Sequence, residues 1–288
     1  MMLSRRAGRR VSGGVRGVLL AVYALFVLVP VGYMLSVSVT NETDIESGSI
    51  LPKVFDFSAW HDMWISVNLA LYLRNSMLVS IATALLATIF ALGGAYVFSR
   101  FRFPGRSLFG GVLVAVQTIP AQMLLLPVFI IYVVLQNATH IHLIGTYQGL
   151  VLTYLTFALP FSIWMLAGYI GGLPQELEEA GMVDGCSRLQ LLRHIVVPLT
   201  IPGMIVAFIF SFLLSWNEVL FASVLTSSQT KTLGVGLPGY LAAGEAGGQV
   251  FWNQLMGASI VSAIPAIVLF LLVQRFIVSG LTHGAVKG

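Results

Sequence analysis

Charge is scarce in this chain. Only 9% of its 288 residues are Asp, Glu, Lys or Arg, against roughly 25% in a soluble domain, while 57% are hydrophobic. A water-soluble globule is excluded, and an integral membrane protein is implied. Lysine is scarcer still: Lys53, Lys231 and Lys287 are the only three, and none follows a glycine. The chain therefore carries no G-x-x-x-x-G-K-[ST] phosphate loop. If ATP drives the protein, another polypeptide must bind it. Cysteine is limited to Cys186, which rules out an intrachain disulfide and any multi-cysteine metal site. His140 and His142 lack a third ligand nearby in sequence, so no metal centre is expected. The net charge of +4 is no sign of nucleic acid, because the arginines cluster beside apolar runs, where they act as topology determinants.

What is present is a succession of apolar runs. Arg5, Arg6, Arg9, Arg10 and Arg16 precede a run over about 18–39, long enough to cross ~30 Å of hydrocarbon at about 1.5 Å per residue. No small-x-small cleavage site follows it, so it reads as a retained first span rather than a signal peptide. The acidic segment 41–74 is expected outside, with Trp60 and Trp64 near the outer interface. A second span over about 76–98 leads to Arg100, Arg102 and Arg106 in a short inner loop. Residues 107–136 are too long for one straight span and contain Pro120 and Pro127. They are expected to bend, or to divide into a span and an outer extension. Gln117 and Thr118 lie one turn before the first bend. In hydrocarbon their polar atoms need partners, which an interhelix hydrogen bond or a place in a pathway lining would supply.

A fourth span covers about 148–170, with Pro160 among Tyr154, Phe157, Phe161 and Trp164. Those aromatics are read as packing or lipid-facing. A fifth, over about 201–225, carries Trp216, Asn217 and Glu218 in its outer half. Glu218 is the only carboxylate in any expected span. It falls about 25 Å along the helix, near the outer boundary, and that placement is preferred to a buried pathway residue. Residues 226–253 form a glycine-rich outer loop, either reaching into a partner's cleft or serving as a connector. The last span covers about 255–278, with Arg275 at its end and Lys287 beyond. Six spans with both termini cytoplasmic follow from the Arg and Lys asymmetry. The expected fold is therefore an all-α, six-helix membrane protein of one domain.

One polar-rich stretch between spans, 174–202, also reads as helix. Pro174 fits a first helical position, and Glu176, Glu178 and Glu179 oppose the helix dipole in the opening turns. Asp184 and Gly185 signal a turn, and Ser187 with Gln190 resembles a capping box that opens a second helix running to about 196. Ala180 and Gly181 form a small-residue notch that a partner could approach closely, with Leu177 and Met182 beside it. On local physics alone, an ordinary amphipathic loop helix is the preferred reading. The charge asymmetry places the stretch in the cytoplasm.

Glu179-Ala180-Gly181, then Gly185, Ile195 and Pro198 resemble the E-A-A-x-x-x-G-x9-I-x-L-P signature of the membrane subunits of ATP-binding-cassette importers. Gly181 and Val197 depart from it, standing where Ala and Leu are usual. The run from Arg102 to Arg106, the triplet from Trp216 to Glu218 and the ending from Gly280 to Gly288 resemble the carbohydrate-importer branch, the maltose-type permeases. In the ending, His283 stands where a smaller residue is common.

The resemblance implies a coupling helix carrying Glu176, Glu179, Ala180, Gly181, Asp184, Gly185, Ile195 and Pro198 that sits in a cleft of a cytoplasmic ATPase. Gln117, Thr118, Trp216, Asn217 and Glu218 are the candidates for a solute pathway. The implied partners are a second, different permease subunit, two ATPase subunits that hold ATP and Mg, and an extracytoplasmic solute-binding protein. All would assemble on a bacterial-type cytoplasmic (inner) membrane, with lipid around the spans. An ion-coupled carrier would keep ionisable groups midway through the bilayer, and none is there. An intramembrane enzyme would need a nucleophile, base or metal ligands at that depth, and every histidine falls outside the spans, so no enzyme is expected. A structural scaffold is disfavoured only by the coupling signature. The lack of a cation at membrane depth favours a neutral sugar or polyol over an anion, with a non-sugar solute as the alternative.

Overall fold

The computed structural model describes residues 2–241 and 250–284, with side chains placed over 15–241 and 250–274. Glu245 in the outer loop, Lys287 and the last residues of the carbohydrate-branch ending lie outside the described residues, as do the side chains of Arg5, Arg6, Arg9, Arg10, Arg275 and His283. The described backbone is helical, and its β content is an isolated bridge between Thr40 and Phe55. Among the described residues, six helices are long and apolar enough to cross a membrane. The chain divides into two compact units, Met1–Val67 with Leu237–Val261, and Asn68–Gly236 with Ser262–Gly288.

In the first unit, α1 (Met2–Ser38) contributes the candidate span Val15–Ser38. Its side chains from Val18 to Val31 are exposed, a continuous apolar surface suited to lipid. α2 (Glu42–Glu46) is capped by Asn41, whose side chain accepts from the Thr43 amide at 3.2 Å. α3 (Ser58–Ser66) contributes the buried Met63, whose carbonyl accepts from the Tyr240 hydroxyl. The last helix begins in this unit, at Trp252. Glu42 Oε1 accepts from the Asn253 amide at 3.0 Å, and Asn253 Nδ2 donates to the Thr40 carbonyl at 3.3 Å. Burial raises the Glu42 carboxyl above its ordinary value, with the Asn253 amide opposing the shift.

The second unit is built on α4 (Leu69–Arg100), which starts seven residues before the expected second span. Ala84, Ala87, Ala91 and Ala95 are fully buried. Their spacing puts them on one face of the helix, where small side chains allow neighbouring helices to close in. The neighbours are α7 (Tyr147–Gly171) and α10 (Val197–Trp216). Toward the C-terminal end of α4, Tyr96 packs with Leu166, Ile170, Val196 and Ala207. Toward its N-terminal end, Val79 packs with Tyr132, Leu150, Tyr154 and Phe221.

The apolar run 107–136 is divided, as Pro120 demands, but in the reverse order to that expected. The short piece, α5 (Arg106–Thr118, 13 residues), comes first, and α6 (Ala121–Thr139, 19 residues) is the one long enough to span. Ile119 and Pro120 take extended backbone at the break, because proline restricts the residue before it and lacks an amide hydrogen. The fifth span is also corrected: α10 stops at Trp216, and a separate α11 (Leu220–Leu225) follows. The last helix, α13 (Trp252–Gly284), begins three residues before the expected span.

The first part of the outer loop is not a free connector. It includes α12 (Leu233–Gly236). Buried Asn75 donates through Nδ2 to the carbonyls of Gln229 and Lys231, both at 2.9 Å, and accepts from the Tyr147 hydroxyl at 2.8 Å. Ser76 accepts from the Leu233 amide at 2.8 Å. With net worth of about 1 kcal/mol per bond, Asn75→Ala is expected to speed tryptic cleavage after Lys231 on the order of tenfold. An unchanged cleavage rate in sealed vesicles that expose this loop would remove Asn75 as its anchor.

Candidate functional site

The coupling stretch folds as two short helices joined by a tight turn. α8 (Glu176–Val183) begins after Gln175, whose carbonyl accepts from the amides of Glu178 and Glu179 at 2.9 and 3.0 Å. Pro174 is therefore two residues ahead of the helix rather than at its first position. Gly185 takes φ +85°, a left-handed conformation that its lack of Cβ permits, and closes the turn after Asp184. α9 (Arg188–Leu191) opens with the expected capping box: Gln190 N donates to the Ser187 hydroxyl, and Ser187 N donates to Gln190 Oε1.

The second helix does not stop near 196. A π-turn (Leu192–Val196) carries it into α10 without interruption. Pro198 has no amide to return to the preceding turn, and the widened turn, with Val197 N bonded to the Leu192 carbonyl, accommodates the loss. Pro198 itself is exposed and Ile195 is half-buried. The coupling element is thus continuous with a membrane span.

α8 has two distinct faces. Glu176, Glu179, Ala180 and Val183 follow the i, i+3, i+4, i+7 pattern and are exposed. Glu178 and Gly181 are buried on the other side. The expected notch at Ala180 and Gly181 is therefore split: Ala180 is open, but Gly181 faces inward. A Cβ on Gly181 would lie 2.5 Å from Leu191 Cδ2 and 2.9 Å from Ile195 Cδ1. The glycine is required by the approach of the chain's own second helix, not by an outside partner.

Glu178 was given only a dipole role by its sequence position. Its carboxylate accepts from Arg100 Nε at 2.6 Å and from the Tyr96 hydroxyl at 3.1 Å, while Arg100 Nη2 donates to the Leu173 carbonyl at 3.1 Å. The signal available was spacing: Glu178 lies three residues before Gly181, hence on the same face.

A second constellation forms where α5 meets α6 and α10 meets α11. A cavity of about 650 Å³ is lined there by Gln117, Pro120, Gln122, Phe157, Asn217 and Glu218 among others. Asn217 Nδ2 donates to the Leu213 carbonyl at 2.8 Å, ending α10. Glu218 receives the amides of Phe221 and Ala222 at 2.8 and 3.0 Å and the Tyr154 hydroxyl at 2.9 Å. The carboxylate thus holds the helix break open and presents a polar wall to the cavity. Thr118 and Trp216 are not part of it. Thr118 donates to its own helix at the Ala115 carbonyl, 2.8 Å away, and Trp216 is buried in a stack on Phe212 with centroids 5.4 Å apart. Gln122 and Phe157 in the lining, and Tyr154 behind Glu218, are the members that sequence reasoning missed.

Residues 94–282, which include both constellations, match the family described as the inner membrane component of binding-protein-dependent transport systems. The chain belongs to that family. It is accordingly a multi-pass protein of the inner membrane and a transport subunit rather than an enzyme, working with a solute-binding protein. The permease is 34% identical over 274 residues to the inner membrane ABC transporter permease protein YcjP of Escherichia coli (strain K12), covering 93% of this chain and 94% of that one. It is 32% identical to the trehalose transport system permease protein SugB of Mycobacterium tuberculosis (strain CDC 1551 / Oshkosh), covering 91% and 93%. Its fold matches a chain in the crystal structure of a bacterial ABC transporter involved in the import of the acidic polysaccharide alginate, with a TM-score of 0.78, 24% identity and coverage of 92% and 96%.

Proposed function

We propose that this permease subunit lines part of the path for a neutral sugar or polyol and receives mechanical work from ATP hydrolysed on partner subunits. The observation that carries the reading is the continuity from α8 through the turn, α9 and the π-turn into α10. A push on α8 has a direct structural route into the membrane. Leu177, Met182, Val183 and Leu189 are exposed apolar side chains on this element, a surface suited to a protein cleft. Glu176, Glu179 and Asp184 add carboxylates to its exposed side.

The partners in this reading are two cytoplasmic ATPase subunits, which bind ATP and Mg, a different second permease and an extracytoplasmic binding protein. Both termini and the coupling element face the cytoplasm. The sugar class draws on the trehalose permease relative and on the cavity wall. Gln117, Gln122 and Asn217 offer amide donors and acceptors, Phe157 offers an apolar face, and the described lining holds no Lys or Arg. That wall suits hydroxyl groups better than an anion.

The test is reconstitution of the complete transporter in lipid vesicles. Binding protein loaded with a neutral sugar is expected to raise ATP hydrolysis and to move the sugar across. ATP turnover indifferent to loaded binding protein would favour a scaffold role and overturn the coupling reading.

A further inference from the structure

Among the carboxylates of α8, Glu178 stands apart. Glu176 and Glu179 are exposed, whereas the side chains of Glu178 and its partner Arg100 are 7% and 6% exposed. Arg100 closes α4, and Tyr96, one turn earlier on the same helix, supplies a second donor to the same carboxylate. Beside the pair, Phe101 meets Tyr96 edge-on at 6.0 Å, and the Arg188 guanidinium lies 5.6 Å over Phe101.

α8 therefore has two joints that lead to different spans. The apolar joint, Gly181 against Leu191 and Ile195, leads through the π-turn into α10. The ionic joint, Glu178 with Arg100, leads to α4, which packs along both α7 and α10. Apolar contacts are non-directional and permit sliding. A short charge-assisted pair shielded from water fixes distance and direction. Burying two charges is costly, and an apolar pair of similar volume would hold the helices together as well. Adhesion alone does not account for it.

We propose that the Glu178–Arg100 ion pair is the positioning device that makes α4 move with α8, so that work delivered to the coupling helix reaches two spans in step. This rests on the coupling reading above. Glu178 and Arg100 are positioning residues: the pair is held against Tyr96 and the Leu173 carbonyl, outside the lining of the cavity beside Glu218.

The test uses the assembled transporter in vesicles with Glu178→Gln, Arg100→Gln and the double variant. Three quantities are read: ATPase subunits retained, ATP hydrolysed in response to sugar-loaded binding protein, and sugar moved per ATP. Each single variant is expected to keep assembly and hydrolysis near wild type while sugar moved per ATP falls about tenfold. The double variant is expected to be no worse than either single, because both remove the same interaction. An unchanged yield per ATP, losses that add in the double variant, or losses that only track assembly would each overturn the proposal. Failure of the coupling reading itself is distinguishable, because wild-type hydrolysis would then ignore the loaded binding protein.

Discussion

Gly185→Pro is expected to abolish solute-dependent ATP hydrolysis while leaving the permease inserted in the membrane. Gly185 holds φ +85°, and proline is confined near −65°. Its amide also donates to the Met182 carbonyl at 3.1 Å, a bond proline cannot make. The turn between α8 and α9 must reopen, so the capping box at Ser187 and the contact of Gly181 with Leu191 lose their common geometry. Nothing lies within 4 Å of a Cβ at this position. Gly185→Ala therefore meets only the left-handed backbone penalty of roughly 1–2 kcal/mol and is expected to act mildly. Glu179→Lys attacks the outer face, reversing an exposed charge on α8 without touching its buried side. Both Gly185→Pro and Glu179→Lys are expected to lower solute-dependent hydrolysis at least on the order of a hundredfold, the upper part of the usual coupling range. The measurement is ATP turnover of reconstituted transporter with and without loaded binding protein. Normal transport by both variants would remove the coupling role.

Glu218→Ala is expected to cripple transport by a different route. The carboxylate receives two backbone amides and the Tyr154 hydroxyl, and Tyr154 is fully buried. Removing it leaves those donors without their acceptor. At roughly 1–3 kcal/mol for each buried unsatisfied group, about 3 kcal/mol is a modest estimate for the set. That corresponds to on the order of a hundredfold in the population of the ordered break. Solute uptake is expected to fall accordingly while the ATPase subunits remain bound, since the coupling element is untouched. Glu218→Gln keeps one acceptor oxygen and is expected to fall between the two. Full uptake by Glu218→Ala, measured in vesicles, would exclude the residue from the pathway.

Much of this architecture was legible in the residue pattern because hydrocarbon leaves few options. A run of apolar residues becomes a helix, since no water satisfies its backbone, and six runs gave six candidate spans. The capping box at Ser187 and the turn at Gly185 were legible for the same local reason: each is written in residues close together in the chain. What escaped depended on partners distant in sequence. Glu178 and Arg100 are 78 residues apart, and no local rule pairs them. At Gly181 composition shows that a side chain is missing but not which way the gap faces, and the gap faces Leu191 and Ile195 rather than outward. The end of α10 at Trp216 was hidden by an apolar run that continues through Leu225. The break is made locally, by Asn217 and Glu218 side chains bonding to backbone three or four residues away, but the Glu218 carboxylate is also held by Tyr154, 64 residues distant, which no local pattern shows.

The most direct measurement uses Cys186, the chain's lone cysteine, half-buried in the turn beside Gly185 with its amide bonded to the Gly181 carbonyl at 2.9 Å. A membrane-impermeant thiol reagent is applied to right-side-out and inverted vesicles, with detergent-opened vesicles as the full-signal reference. Labelling in inverted vesicles alone is predicted, because the α8–α9 element has to meet the ATPase on the cytoplasmic side. Labelling of Cys186 from the outer face of sealed right-side-out vesicles would contradict the account.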